Sequence, residues 1–225
     1  MGTTPWQDSV PEVKMRAVQV ATALFSLARF FVEAPNPEIT RRFTDPQMAG
    51  TWPVRDEDSL AAIEQIARAD EMAIMLNEDF NRMFGPAGAL MMAESEYTGE
   101  NHLPLVQALN RKYEERGYRP QKTEGYPRDH FAVQLGFLGH LVAKLADEPG
   151  VAAEVRAFRA EHVDRYADDL LTLLDAHART QMYRGVVVLT RRALDALDEV
   201  VGMVGAEPAG EVPEGAVPTG DGADG

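Results

Sequence analysis

Asp129 and His130 set a carboxylate beside an imidazole, directly behind Pro127 and Arg128 and directly ahead of a strongly apolar run. Such a pair can hold a cation, exchange a proton or fix a ligand by hydrogen bonds. The same residues can do no more than start a helix, because the unpaired first-turn amides and the helix dipole favour an acid next to a proline there. On spacing alone the cap is the stronger reading. The neighbourhood keeps a site in play. At helical spacing Gln134, Phe137 and Leu141 continue the stripe of His130, while Val133, Gly136 and His140 continue that of Asp129. Gly136 and Gly139 are gaps at which a ligand or peptide can approach the helix backbone.

The other chemistry-bearing clusters are weaker taken singly. Glu94-Ser95-Glu96-Tyr97 reads as a solvated turn with one packed ring. His162 and Tyr166, one helical turn apart, read as a packed pair hydrogen-bonded across helices, and Asp164, Asp168, Asp169 and Asp175 as a solvated face. The sequence has no GxxxxGK[ST] phosphate loop, no GxGxxG fingerprint and no HExxH. His102, His130, His140, His162 and His177 never recur at i+3 or i+4, and no Glu-x-x-His occurs, so no metal and no other cofactor is expected. A small helical enzyme or nucleotide-binding protein using Asp129, His130 and His140 is the competing reading, and turnover by the purified protein would favour it.

The elements that must position these residues are helical throughout, with no sustained period-two alternation, so the expected fold class is all-α. A capping box at Ser9 and Glu12 opens a helix that reaches about Glu33. Pro37 restarts a short helix, and Asp56 caps a longer one whose pattern runs to Phe84 and stops at Gly85-Pro86. Residues 85–101 read as an irregular connection, and a helix with Leu103, Val106, Leu109 and Tyr113 ends at Gly117. Residues 118–128, with two prolines and a glycine, read as a hinge. Beyond it come the helix of Phe131, Val133, Leu135, Phe137, Leu138, Leu141, Val142 and Leu145, then helices over about 151–177 and 179–203. The expected division is a lobe over 1–117, the hinge, a second lobe over 129–204 and a disordered acidic tail over 205–225.

Composition excludes several classes. A net charge of −14 argues against nucleic acid, which needs clustered Lys and Arg, and suits a basic partner. The tail holds five acids and no base, so the rest of the chain is acidic by itself. Without cysteine there is no disulfide, thiolate metal site or cysteine nucleophile. The first apolar helix carries Lys14, Arg16, Gln19 and Arg29, so it is neither signal peptide nor membrane span, and a cytoplasmic protein with no membrane insertion is expected.

Taken in order, these motifs resemble the TorD/DmsD family of redox-enzyme maturation chaperones. An acid and aromatic before a Gly-Pro stop is similar to Asp79-Phe80 ahead of Phe84-Gly85-Pro86, and a Glu-Ser-x-Tyr loop to Glu94-Ser95-Glu96-Tyr97. A Tyr-x-x-x-Gly helix end is matched by Tyr113 and Gly117, the family's Glu-Pro-x-Asp-His hallmark by Pro127, Asp129 and His130, and a later segment by Phe158, His162 and Tyr166. Met182-Tyr183 stands where the family has a Phe-Tyr-like pair before the last helix. The resemblance spans roughly residues 70–200. Tyr126, Gln134 and Tyr166 depart from the family's Glu, Glu and Trp.

The resemblance implies a two-lobed helical protein without catalysis of its own. It implies binding of the twin-arginine signal peptide and the apo-form of a molybdopterin oxidoreductase in the cytoplasm until the cofactor is inserted. Guanine nucleotide is a secondary partner associated with some members, for which this chain has no phosphate loop. The molecule is expected as a monomer or a hinge-swapped dimer. Asp129 is the expected contact for a leader arginine, with His130, Pro127 and Gln134 at the same mouth and Glu94, Ser95 and Tyr97 flanking it. A basic-then-apolar leader suits an acidic surface around a helix-lined groove.

Overall fold

Apolar residues at helical spacing, punctuated by prolines and by short polar side chains that cap, give an all-α chain in the computed structural model, with ten α-helices and no strand among the described residues. The structure describes residues 5–45, 47, 50–120, 125–145 and 147–205, with backbone alone for 5–10 and 205. The acidic tail, apart from Gly205, and residues 121–124 of the expected hinge lie outside the described residues.

Helix α1 spans Pro5–Phe30 and α2 spans Pro37–Thr44. Ser9 falls inside α1, not at its cap, and its side chain is outside the described set. Asn36 caps α2 by accepting from the amides of Glu38 and Ile39, and Pro37 follows at the position where a missing N–H costs nothing. The run expected from Asp56 to Phe84 is two helices, α3 (Glu57–Ala69) and α4 (Ala73–Phe84). Asp70 breaks it at φ 47°, a left-handed conformation that Asp tolerates better than most residues. Leaving the helix lets Glu71 cap another element: its carboxylate accepts from the amides of Gln181 (2.6 Å) and Met182 (3.0 Å).

The expected irregular connection contains a short helix, α5 (Glu94–Thr98), which precedes α6 (His102–Glu115) and the central α7 (Phe131–Ala143). The run expected over 151–177 is interrupted as well. It forms α8 (Val151–Glu161), a 3-10 turn (Val163–Arg165) and α9 (Ala167–His177), and His162 sits at the break with its ring turned to Glu94. Helix α10 (Gln181–Gly205) closes the described chain.

The core is organised around α7, which is buried from Phe131 through Gly139. Helix α1 packs along it on one side and α8 on another, while α10 packs on α1, α3, α8 and α9. Each fully buried Phe or Leu of α7 is worth about 1.5–3 kcal/mol over exposure, so this helix is the main hydrophobic anchor. Phe131 meets Phe31, the residue just after α1, at 5.2 Å between ring centroids. The small residues on α7 are filled from within the chain. A Cβ at Gly136 would run into the Tyr118 hydroxyl, and one at Gly139 would lie 3.3 Å from the Phe25 ring. Gly139 is thus a contact between α7 and α1, and Gly136 is covered by the Tyr118 hydroxyl.

Candidate functional site

Two short backbone hydrogen bonds bring the distant motifs together. The Glu94 amide donates to the Asp129 carbonyl (2.9 Å) and the Phe131 amide to the Met92 carbonyl (2.8 Å), so Ala93 and His130 face each other as an isolated antiparallel bridge. This pairing sets the start of α5 against the start of α7. Ala93, at the N-terminus of α5, has no side chain to cap it. Asp129 does so from across the bridge: its Oδ2 accepts from Ser95 Oγ (2.7 Å) and from the Ser95 amide (3.3 Å).

Asp129 is fully buried, and its Oδ1 has no hydrogen-bond partner among the described residues. The third group on Oδ2 is His102, the first residue of α6, with Nδ1 at 3.3 Å from Asp129 Oδ2 and 3.2 Å from Ser95 Oγ. Ser95, His102 and Asp129 do not form a nucleophilic triad. Serine and imidazole both point to the same carboxylate oxygen, whereas activation needs the imidazole between them as base.

His130 turns the other way. Its Nδ1 accepts from the Ala132 amide at 3.2 Å, making the imidazole the N-cap of α7, and its ring lies 4.6 Å from that of Tyr126. Burial pushes its pKa down from 6.5 to about 4, against the upward pull of Asp129. The ring is therefore neutral near pH 7, as an Nδ1 acceptor must be. The cap expected at this sequence is made by the histidine, while the acid serves α5.

Next to Asp129 lies a second buried carboxylate. Glu94 accepts from Gln134 Nε2 (2.6 Å) and sits 3.2 Å from His162 Nδ1 by either oxygen, with Arg165 Nη1 at 3.5 Å. The Gln134 carbonyl oxygen accepts from the Tyr166 hydroxyl (2.7 Å). His162 and Tyr166 are thus hydrogen-bonded across helices, as their spacing predicts. Two departures from the family pattern prove to be partners. An amide at 134 can donate to Glu94 and accept from Tyr166 at once, whereas a second carboxylate there would face Glu94 without a donor.

Tyr97 covers this network, its ring 5.4 Å from that of Tyr166 and its hydroxyl donating to the Met91 carbonyl (2.9 Å). Pro127 is exposed, and its carbonyl accepts from the His130 amide. The structure thus gathers Glu94, Ser95, Asp129 and Gln134 into two adjoining buried hubs, with Tyr97 over them, Pro127 at the surface and His130 facing away. Sequence reasoning passed over His102 and Arg165. A usable signal existed for the first, because Asn101-His102 opens a helix and sets a ring with an N–H donor at its exposed start. Arg165 carried no signal, since only the fold brings the 3-10 turn to Glu94 and Glu100.

What this arrangement can do is bind cations: two buried carboxylates lie beneath side chains that reach solvent. Among the described residues no group of three or more His, Cys, Asp or Glu could hold a metal ion, and no helix is long and apolar enough to cross a membrane. No curated protein matches the chain. Residues 54–172, just over half of it and including every residue of the two hubs, match the family described as nitrate reductase delta subunit. The chain belongs to that family, one of molybdoenzyme maturation chaperones.

Proposed function

We propose that this protein is a chaperone of the TorD/DmsD type that binds the twin-arginine leader and apo-form of a molybdopterin oxidoreductase precursor. It holds the precursor in the cytoplasm while the cofactor is inserted and has no turnover of its own. The observation that carries the reading is Asp129, a buried carboxylate with an unsatisfied oxygen, lying next to the equally buried Glu94. Such a site favours a multidentate cation over a neutral ligand. Apolar surface at the same mouth suits the segment after the arginines. Leu103 follows His102 and is 63% exposed, and Met91, whose carbonyl accepts from Tyr97, is 60% exposed. Residues 118–128 are kept in this reading as the connection between segments 1–117 and 129–204, which pack on each other through α1 and α7.

The test is titration calorimetry of the full chain with a synthetic peptide carrying two consecutive arginines before an apolar stretch of about twelve residues. Asp129→Ala should keep the helical circular dichroism and lose at least about tenfold in affinity. Unchanged affinity removes Asp129 from the site. The family description itself favours a second reading, a lasting subunit of nitrate reductase. Recovery of the chain bound to the mature, cofactor-loaded enzyme would establish that alternative.

A further inference from the structure

Asp129 is completely buried, so a leader arginine can reach it only if something moves aside. We propose that His102 is an exchangeable cover: its imidazole occupies the place that a leader guanidinium takes, and it swings into solvent as the leader enters. This inference rests on the leader-binding reading above and names the residue that controls access to that site.

Three observations single out His102. First, Asp129 is under-satisfied as it stands, with Oδ2 shared by Ser95 and His102 and Oδ1 without a partner. An imidazole offers that carboxylate one N–H, whereas a guanidinium fork can serve both oxygens. Exchange therefore gains hydrogen bonds. Second, the two kinds of partner differ in freedom. Ser95 holds Oδ2 by its backbone amide as well as its hydroxyl, and that amide follows directly on the segment paired with 129–131, so it cannot swing away as a side chain can. The His102 side chain is 56% exposed, and its hydrogen-bond partners, Ser95 and Asp129, both belong to the site. A rotation about its own side-chain bonds frees it. Third, His102 is the first residue of α6, so no preceding turn of that helix packs against its ring.

The contrast with Arg165 is instructive. Its guanidinium also approaches a buried acid, at 3.5 Å from Glu94 Oε1, but it is tethered as well by the Glu100 carboxylate and the Glu161 carbonyl. Its departure would break three contacts, so it stays as a fixed counter-charge while His102 exchanges.

The test uses the full chain and the same twin-arginine peptide in calorimetry. His102→Ala removes the competitor and should tighten binding about fivefold, while His102→Arg installs a permanent fork on Asp129 and should weaken it about fivefold. Arg111→Ala, which deletes an exposed cation further along α6, should change little. Opposite shifts for the two His102 variants, absent in Arg111→Ala, support the cover. If both His102 variants bind as the parent does, or if Arg111→Ala tightens binding equally, the cover is refuted while a weakening by Asp129→Ala leaves the leader site standing. If Asp129→Ala also binds normally, the leader-binding reading falls and the cover falls with it.

Discussion

The neutral, buried His130 makes the stability of this fold depend on pH in a predictable direction. Its imidazole titrates near the ordinary 6.5 in the unfolded chain and at about 4 in the folded one, because burial disfavours the charge. Between those values the unfolded state binds the extra proton. Its contribution is therefore fully present above the unfolded value, falls as pH drops below it, and levels out below the folded value. The full span corresponds to about 3 kcal/mol, and about 2 kcal/mol of it is lost between about pH 7 and about pH 5. Protonation also removes the Nδ1 acceptor for the Ala132 amide, so the cap of α7 goes with the charge. Other groups titrate in this range, which makes a variant the proper reference. His130→Asn keeps a side-chain acceptor suited to an N-cap but cannot titrate. In urea unfolding at the two pH values, the parent should lose about 2 kcal/mol more than His130→Asn. Parallel losses would refute both the buried neutral histidine and its role as the cap.

Two further predictions concern the interior. Tyr166→Phe should cost about 1 kcal/mol and Gln134→Leu about 3 kcal/mol, since the second leaves the buried Tyr166 hydroxyl without a partner and takes from Glu94 its amide donor, with only His162 and Arg165 remaining on that buried carboxylate. In the double variant the two changes should couple by about 1 kcal/mol or more, and simple additivity in urea unfolding would break the proposed chain of hydrogen bonds. Asp79→Ala should cost about 3–5 kcal/mol by thermal or urea unfolding, because Asp79 is buried and accepts from Arg82, from the Arg179 and Thr180 amides and from the Thr180 hydroxyl. A loss under about 1 kcal/mol would mean that water replaces it freely at the start of α10.

The helical class was legible because apolar spacing reports burial directly, and the Pro37 and Asp56 starts because first-turn chemistry is local. The failures share one cause. At Asp70-Glu71 and again at His162, a pattern that reads as one helix is cut where a side chain is needed by a partner far away in sequence, the α10 amides in one case and Glu94 in the other. Residues 94–98 read as loop because the group that satisfies the start of α5, the Asp129 carboxylate, comes from 34 positions away. The Asp129-His130 pair stood out in the sequence, but its division of labour did not. Neighbouring side chains at a helix start point in different directions, and only the bridge to Ala93 decides which of them faces the second motif.

The matched stretch, residues 54–172, contains both hubs but does not hold them by itself. Tyr126, whose ring lies against His130, donates its hydroxyl to the Val32 carbonyl beyond the end of α1. Phe131, immediately after His130, packs on Phe31, and Gly139 lets α1 approach closely enough for the Phe25 ring to touch it. At the same end α1 meets α10, where the Tyr183 hydroxyl donates to the Phe30 carbonyl and the first amides of α10 are held by Glu71. Removing α1 would expose one long side of a helix that is buried around its whole circumference. The residues proposed to meet the leader and several of those that support them thus lie in different parts of the chain. In the proposed exchange His102 moves without disturbing Asp129, because the start of α7 is also held by the bridge at Ala93 and by Phe31 and Val32, which follow α1.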